Sequence, residues 1–190
     1  MPPLWLLIVG GREPRVTAAP ASLRICYQIS RADRSINEDV RREVTTALLG
    51  ELERGSLMRE EELLVLDLLI TDALLHGDPQ LRPRLDEWSQ RALEMAPEIA
   101  TLRGSRGAAL VELGRPAEGK ALLESVLAAE PTSFDALLSH IFLARAEHAL
   151  GNLAAARHIA ARARAISDAG TFPPRVRQLL ESLETEVESV

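Results

Sequence analysis

From residue 35 onward, apolar residues recur with the spacing of helix faces. The first series follows Ser35 and Glu38, which have the spacing of a capping box, and it predicts a leading helix over residues 35–55. Residues 58–76 are apolar nearly all round, which is typical of a helix that neighbours cover on several sides. The pattern therefore predicts an all-α fold. The apolar face of the leading helix consists of Val40, Val44, Leu48, Leu49 and Leu52.

Three glycines divide the chain at equal intervals. Gly77, Gly114 and Gly151 are 37 residues apart, and each one ends an apolar helix. A second helix follows each glycine, and two of these second helices end near Pro97 and Pro131. Glycine suits such a turn because it adopts the left-handed conformation at a helix C-terminus without steric cost. The repeating unit is a helix, a glycine turn, a second helix and a short link.

The best copy of this unit begins at Ala100 and has small and large residues at regular offsets. Its small positions are Gly107 and Gly119, and its large positions are Leu110, Leu123 and Val126. This arrangement resembles the tetratricopeptide repeat, a pair of helices of about 34 residues. The resemblance covers about residues 63–168.

The copies depart from the family pattern at several polar residues. Arg103 and Arg106 stand where the family usually has apolar residues, which indicates a rotated helix or an altered neighbour. In the third copy His140, Glu147 and Asp168 replace two large residues and the proline.

The resemblance implies a right-handed α-solenoid of antiparallel helix pairs. About three repeats are expected at residues 58–97, 99–131 and 134–168, within a helical-repeat domain over residues 35–190. A last helix at residues 173–188 has one apolar face and would cap the exposed core of the array. That face consists of Val176, Leu179, Leu180, Leu183 and Val187.

Residues 1–34 form a separate N-terminal arm rich in proline and glycine. Alternation at Leu23, Ile25, Tyr27 and Ile29 predicts a short strand or hairpin. The apolar run Leu4–Val9 is far shorter than the ~20 residues of a spanning helix, and no basic residues precede it as in a signal peptide. A strand or packing arm is the favoured interpretation. A truncated span stays open if this chain is the tail of a longer polypeptide.

Composition and charge narrow the classes of function. The chain is 46% hydrophobic but only 3% aromatic, with a net charge of −6. No basic stripe interleaved with aromatic residues is present, so nucleic-acid binding is not predicted. Cys26 is the only cysteine, which excludes an internal disulfide and fits a reducing compartment.

The stretch "GRPAEGKA" from Gly114 to Ala121 resembles a phosphate-binding P-loop. A P-loop needs a strand before its first glycine and a hydroxyl after its lysine to hold magnesium. Here Ala121 follows Lys120, and the preceding residues have a helical pattern. The repeat accounts for both glycines, so Lys120 is interpreted as a solvated side chain and no nucleotide is predicted.

Few other residues are candidates for metal binding or catalysis. Asp72 and His76 are four residues apart on a helix, but an acid near a helix-terminal histidine is more often electrostatic than metal-binding. Ser105 has no nucleophile-elbow pattern and no identifiable base. The sequence therefore predicts no catalytic residue, no cofactor and no metal. The histidines are His76, His140, His148 and His158.

The resemblance also implies a function. First helices of such repeats line a concave groove that commonly binds partner peptides or domains, and Arg145 could pair there with an acidic group. The chain lacks the several Lys and Asn residues of carboxylate-clamp members, so a C-terminal peptide is not the predicted ligand. The expected groove residues are Asp67, Thr71, Leu74, Ala108, Glu112, Leu138, Ile141, Arg145 and His148.

The leading hypothesis is a non-enzymatic, cytoplasmic adaptor or scaffold that binds a protein or peptide of unknown identity through this groove or the N-terminal arm. A second hypothesis is a regulatory module of a membrane-associated system, tethered through residues 1–34. A helical enzyme is the third. Self-association through the apolar arm also stays open.

Overall fold

The structure is a computed structural model that describes residues 21, 24, 25, 28, 37–129 and 133–189. Within these ranges the chain forms helices and connecting turns and contains no strand, which confirms the predicted all-α class. A 3-10 turn lies at Arg82–Arg84. The α-helices are α1 (Glu38–Arg54), α2 (Arg59–His76), α3 (Leu85–Met95), α4 (Ala100–Glu112), α5 (Pro116–Leu127), α6 (Ser133–Ala149), α7 (Leu153–Ala169) and α8 (Pro174–Glu188).

The chain divides into two compact units. The first covers residues 1–69 and the second residues 70–190, so the boundary falls inside α2. The two units are described separately below.

In the first unit, α1 begins later than its capping box predicts. Asn37 is the N-cap residue, and its side chain accepts a hydrogen bond from the backbone N–H of Asp39 at 2.8 Å. Asparagine is among the best residues for this role because its side-chain oxygen satisfies an otherwise unpaired helical N–H. The assignment of Ser35 as the cap is therefore wrong, and Ser35 itself lies outside the described residues.

The described part of the N-terminal arm is helical. Ala21, Arg24, Ile25 and Gln28 have helical backbone and the spacing of one helix face, so the predicted strand is wrong at these positions. Ile25 is 1% exposed, and Arg24 Nε donates to Glu51 Oε1 of α1 at 2.5 Å. Alternation over so few residues cannot separate a strand from a helix. The apolar run Leu4–Val9 lies outside the described residues.

The second unit is built from helix hairpins joined by glycine turns. α4 and α5 form one hairpin around Gly114, and α6 and α7 form the next around Gly151, with φ values of 79° and 80°. In both turns the residue after the glycine donates its N–H five residues back, to Leu110 O and to Glu147 O, each at 2.9 Å. This is the Schellman arrangement, which satisfies carbonyls that the helix end leaves unpaired.

Two glycines let α4 and α5 cross at close range. A Cβ on Gly119 would lie 2.6 Å from the carbonyl oxygen of Gly107 and 2.7 Å from Val111 Cγ2. A Cβ on Gly107 would lie 2.8 Å from Leu123 Cγ. The two small residues that the repeat pattern predicts, Gly107 and Gly119, therefore lie where α4 and α5 are in close contact. Gly104 differs, since the nearest atoms to its Cβ would be 3.7 Å away or more.

The last three helices share one apolar core. The apolar face of α8 packs onto the α6–α7 hairpin, and Leu75 near the end of α2 packs against the same cluster. Arg175 Nε at the start of α8 donates to the carbonyl oxygen of Leu75 at 2.7 Å. Alanines on α7 keep the helices close. The buried residues are Leu137, Ile141, Ala144, Ala156, Ala160, Ala163, Phe172, Val176, Leu180, Leu183 and Val187.

None of the described helices is both long enough and apolar enough to cross a membrane.

We predict that Gly119→Ala destabilises the protein by about 1–3 kcal/mol, because a methyl group there meets backbone atoms rather than a flexible side chain. Urea unfolding followed by circular dichroism measures this change. The matched variant is Gly104→Ala, which adds the same methyl group to the same hairpin where there is room for it. Alanine has the higher helix propensity, so we expect Gly104→Ala to be as stable as the wild type or up to ~1 kcal/mol more stable. Equal losses in both variants would contradict the proposed crossing contact.

Candidate functional site

Two of the nine expected groove residues come together at an ion cluster. Arg145 Nη1 of α6 donates to Glu112 Oε1 of α4 at 2.8 Å, and Arg145 Nη2 donates to Glu186 Oε1 of α8 at 3.1 Å. The guanidinium also lies over the ring of Phe142, 5.8 Å from its centroid. We call Glu112, Arg145 and Glu186 the Arg145 cluster. Two of its members belong to the expected groove, and the third brings α8 to the same surface.

The Arg145 cluster is partly open to solvent. The side chain of Arg145 is 17% exposed, and those of Glu112 and Glu186 are 33% and 41% exposed. The one cation binds two carboxylates, so the Arg145 cluster has a formal charge of −1. Ser182 Oγ also donates to Glu186 Oε1 at 3.0 Å and holds that carboxylate in place. A partner would therefore meet charged groups whose positions are already fixed.

The other expected groove residues divide by burial. Leu74, Ala108 and Ile141 are 8%, 4% and 0% exposed, so they contribute to the core and not to an open surface. Ile141 is buried because it belongs to the core that α6, α7 and α8 share. The remaining members keep partial exposure: Thr71, Leu138 and His148 in the second unit and Asp67 in the first.

Sequence reasoning did not place Glu186 at this site. The sequence pattern identified only the apolar face of α8, and Glu186 lies outside that face. The signal in the sequence is weak, because a glutamate on the polar face of a terminal helix is ordinary. Only the packing of α8 against α6 shows which side of that polar face reaches Arg145.

The departure from the family pattern at Arg106 has a direct structural cause. Arg106 is 6% exposed, and its Nη1 donates to Asp86 Oδ1 at 2.6 Å and to Ser89 Oγ at 2.9 Å. Both partners lie on α3, so a polar neighbour has replaced the usual apolar contact. These partners fit one of the two expected explanations, an altered neighbour. A buried guanidinium is tolerated only with such partners.

Lys120 is not the solvated side chain that was expected. Its Nζ lies 2.7 Å from Glu147 Oε1, and the side chain of Glu147 is only 7% exposed. Asn152 Nδ2 donates to the other oxygen of Glu147 at 2.7 Å. The hydrogen bond from Lys120 holds the pKa of Glu147 below its usual range, and Glu147 in turn raises the pKa of Lys120.

The same geometry explains why "GRPAEGKA" is not a phosphate-binding loop. Gly114 forms the left-handed turn, and α5 begins at Pro116, so Gly119 and Lys120 lie inside a helix. The backbone N–H of Gly119 donates to Arg115 O, as in an ordinary helical turn. The charge of Lys120 is neutralised by Glu147 of the next hairpin.

The candidate metal ligands in the sequence are Asp72 and His76 on α2. His76 Nε2 lies 3.8 Å from Asp72 Oδ1, a distance that fits a weak electrostatic contact. In the part of the chain that the structure describes, no group of three or more histidine, cysteine, aspartate or glutamate residues is arranged to hold a metal.

Stacked helix hairpins with glycine turns define the second unit as an α-helical repeat. A family model described as tetratricopeptide repeat matches residues 110–183, from the end of α4 into α8. This match supports the tetratricopeptide-like repeat family that the sequence resemblance implied. Repeats of this family generally mediate protein–protein interactions. Comparisons with curated proteins and with solved structures gave no significant match.

We predict that Glu147→Gln lowers stability at pH 7 and flattens its dependence on acid pH. Because the pKa of Glu147 is lowered in the folded chain, its ionised form contributes stability above the ordinary carboxyl pKa of ~4.3. That contribution is lost as the pH falls through the lower folded pKa. The melting temperatures of wild type and variant, measured by calorimetry, should differ most near pH 7 and converge towards pH 3.

The matched control for this experiment is Glu124→Gln. Glu124 also faces Lys120, but at 3.8 Å and with a side chain that is 54% exposed. Exposed ion pairs contribute little to stability, so Glu124→Gln should leave the melting temperature nearly unchanged. A difference between wild type and Glu147→Gln that does not vary with pH would contradict the assigned role of the Lys120–Glu147 pair.

Proposed function

We propose that this protein is a non-enzymatic adaptor or scaffold that binds a protein or peptide through the surface of the Arg145 cluster. The observation that carries the proposal is the tetratricopeptide-repeat match at residues 110–183, since interaction with other proteins is the general role of that family. A cytoplasmic location belongs to the same proposal. The membrane-tether hypothesis depends on residues 1–34, nearly all of which lie outside the described residues, and it stays a prediction.

The position of the Arg145 cluster supports this choice of surface. α4 and α6 are the first helices of successive hairpins and pack against each other, while α8 packs against α6. In the family, first helices line the binding groove. Glu112, Arg145 and Glu186 connect these three helices, so the cluster spans the corresponding side of the second unit.

The chemistry of the cluster also suits recognition. A guanidinium presents up to five N–H donors in a fixed plane, of which two here bind carboxylates within the chain. Partly exposed charges of both signs favour a partner with complementary charges and disfavour others. Leu138 and His148, which are half-buried on the same helix, add apolar and aromatic contact area.

The test begins with a photo-activatable cross-linker at position 148 of the full chain, used in cell extract to identify a partner. Binding of the purified partner is then compared between wild type and Arg145→Gln by calorimetry. Glutamine keeps a hydrogen-bond donor but removes the charge, so we expect binding to weaken about tenfold or more, which corresponds to ~1.4 kcal/mol.

The matched control is Arg162→Gln, which removes an exposed arginine from α7. We expect this variant to bind the partner as the wild type does. Circular dichroism should show that both variants are folded. Equal binding by Arg145→Gln and wild type, or a loss specific to Arg162→Gln, would count against this surface.

A further inference from the structure

His140 on α6 is a titratable group enclosed in the second unit. The residue is 4% exposed, and it occupies a position that the repeat pattern fills with a large residue. Its Nδ1 lies 2.7 Å from the carbonyl oxygen of Ala136, one turn earlier on α6. Its Nε2 is buried and has no hydrogen-bond partner among the described residues. None of the interactions assigned above to partner binding uses this ring.

The contact with Ala136 fixes the tautomer of the ring. A carbonyl oxygen only accepts hydrogen bonds, so Nδ1 carries the proton and Nε2 of the neutral ring is a bare acceptor. Protonation would place a second N–H at Nε2, where no acceptor is available in the described structure. A buried donor without a partner and a buried charge are both costly.

A positive charge on the neighbouring helix α7 acts on His140, and it would repel a protonated, positively charged ring. In the part of the chain that the structure describes, Arg162 of α7 is the charged group whose field acts on His140, and it disfavours a second positive charge nearby. Among the described residues of α4, α5 and α8, which also pack against α6, no carboxylate compensates for it. Burial is the largest cause that lowers the pKa of His140, the hydrogen bond to Ala136 opposes it, and Arg162 lowers it further.

We propose that His140 makes the α6–α7 hairpin an acid-sensitive element, which opens when the ring takes up a proton. The hairpin carries Arg145 and contributes much of the core under α8, so its opening changes the surface of the Arg145 cluster. Proton linkage determines how pH shifts the equilibrium between the closed and open hairpin. In the open hairpin the histidine has an ordinary pKa of ~6.5, whereas in the closed hairpin the ring stays neutral to lower pH. Acid below pH ~6.5 therefore favours the open form.

Hydrogen exchange of the full chain between pH 7.5 and pH 5 tests this proposal. After correction for intrinsic exchange rates, the opening equilibrium of amides in α6 and α7 should rise by up to about tenfold per pH unit below pH ~6.5. In His140→Asn, which keeps an N–H for Ala136 O but takes up no proton, the same amides should show no such rise. His158→Asn removes an exposed histidine from α7 and should behave as the wild type.

Two results would overturn the proposal: a pH-independent opening equilibrium in the wild type, or a rise that persists in His140→Asn. If His140→Asn does not fold, His140→Phe replaces it, because a ring of similar size fills the site without a titratable group. Measurement on the free chain keeps this test independent of the proposed partner, so failure of one proposal leaves the other to be judged separately.

Discussion

The fold of the second unit depends on each helix hairpin burying its apolar face against the next one. A single hairpin has an apolar side that only a neighbouring helix or hairpin can cover. The core between α8 and the α6–α7 hairpin is an example of such cover. Leu180 and Leu183 of α8 are fully buried against α6 and α7, and burial of each such side chain contributes about 1.5–3 kcal/mol. Small residues control how closely the layers approach. The backbones of α4 and α5 meet at Gly107 and Gly119, and alanines on α7 have a similar effect in the next hairpin.

Charged residues connect the stacked helices, and two of them, Arg106 and Glu147, stand at positions where the family usually has apolar or large residues. Arg106 binds α3, Glu147 binds Lys120 of the preceding hairpin, and Arg164 of α7 pairs with Glu184 of α8. Such pairs add little net stability, because the charges lose hydration when they are buried. Their stronger effect is on geometry. A buried charge displaced from its partner is costly, so each pair favours one alignment of neighbouring helices. In this protein, the polar residues Arg106 and Glu147 therefore form contacts between stacked helices.

The same packing limits where a partner can bind. Residues that a regular repeat would expose in a groove, such as Ile141 and Ala108, are covered here, whereas Arg145 and Glu112 remain partly exposed. The end of α2 meets the start of α8 through Leu75 and Arg175, which brings the first and last helices of the second unit into contact. The proposed binding surface and the apolar core thus involve the same helices. α6 carries the cation of the Arg145 cluster on one side and the enclosed ring of His140 on another.

The sequence by itself determined the local features of this protein. Helix spacing, the glycine turns at Gly114 and Gly151, the small positions at Gly107 and Gly119 and the family resemblance could all be predicted, because each depends on residues close together in the chain. The partners of Arg106 and Arg145 and the pairing of Lys120 with Glu147 could not be predicted, since these partners lie 17 to 41 residues away. Their choice depends on how the helices stack. Burial of Ile141 and the enclosed state of His140 were likewise decided by neighbouring helices. Periodicity identifies which face of a helix is apolar, but only tertiary packing decides which residues at its edge are covered and which charges meet.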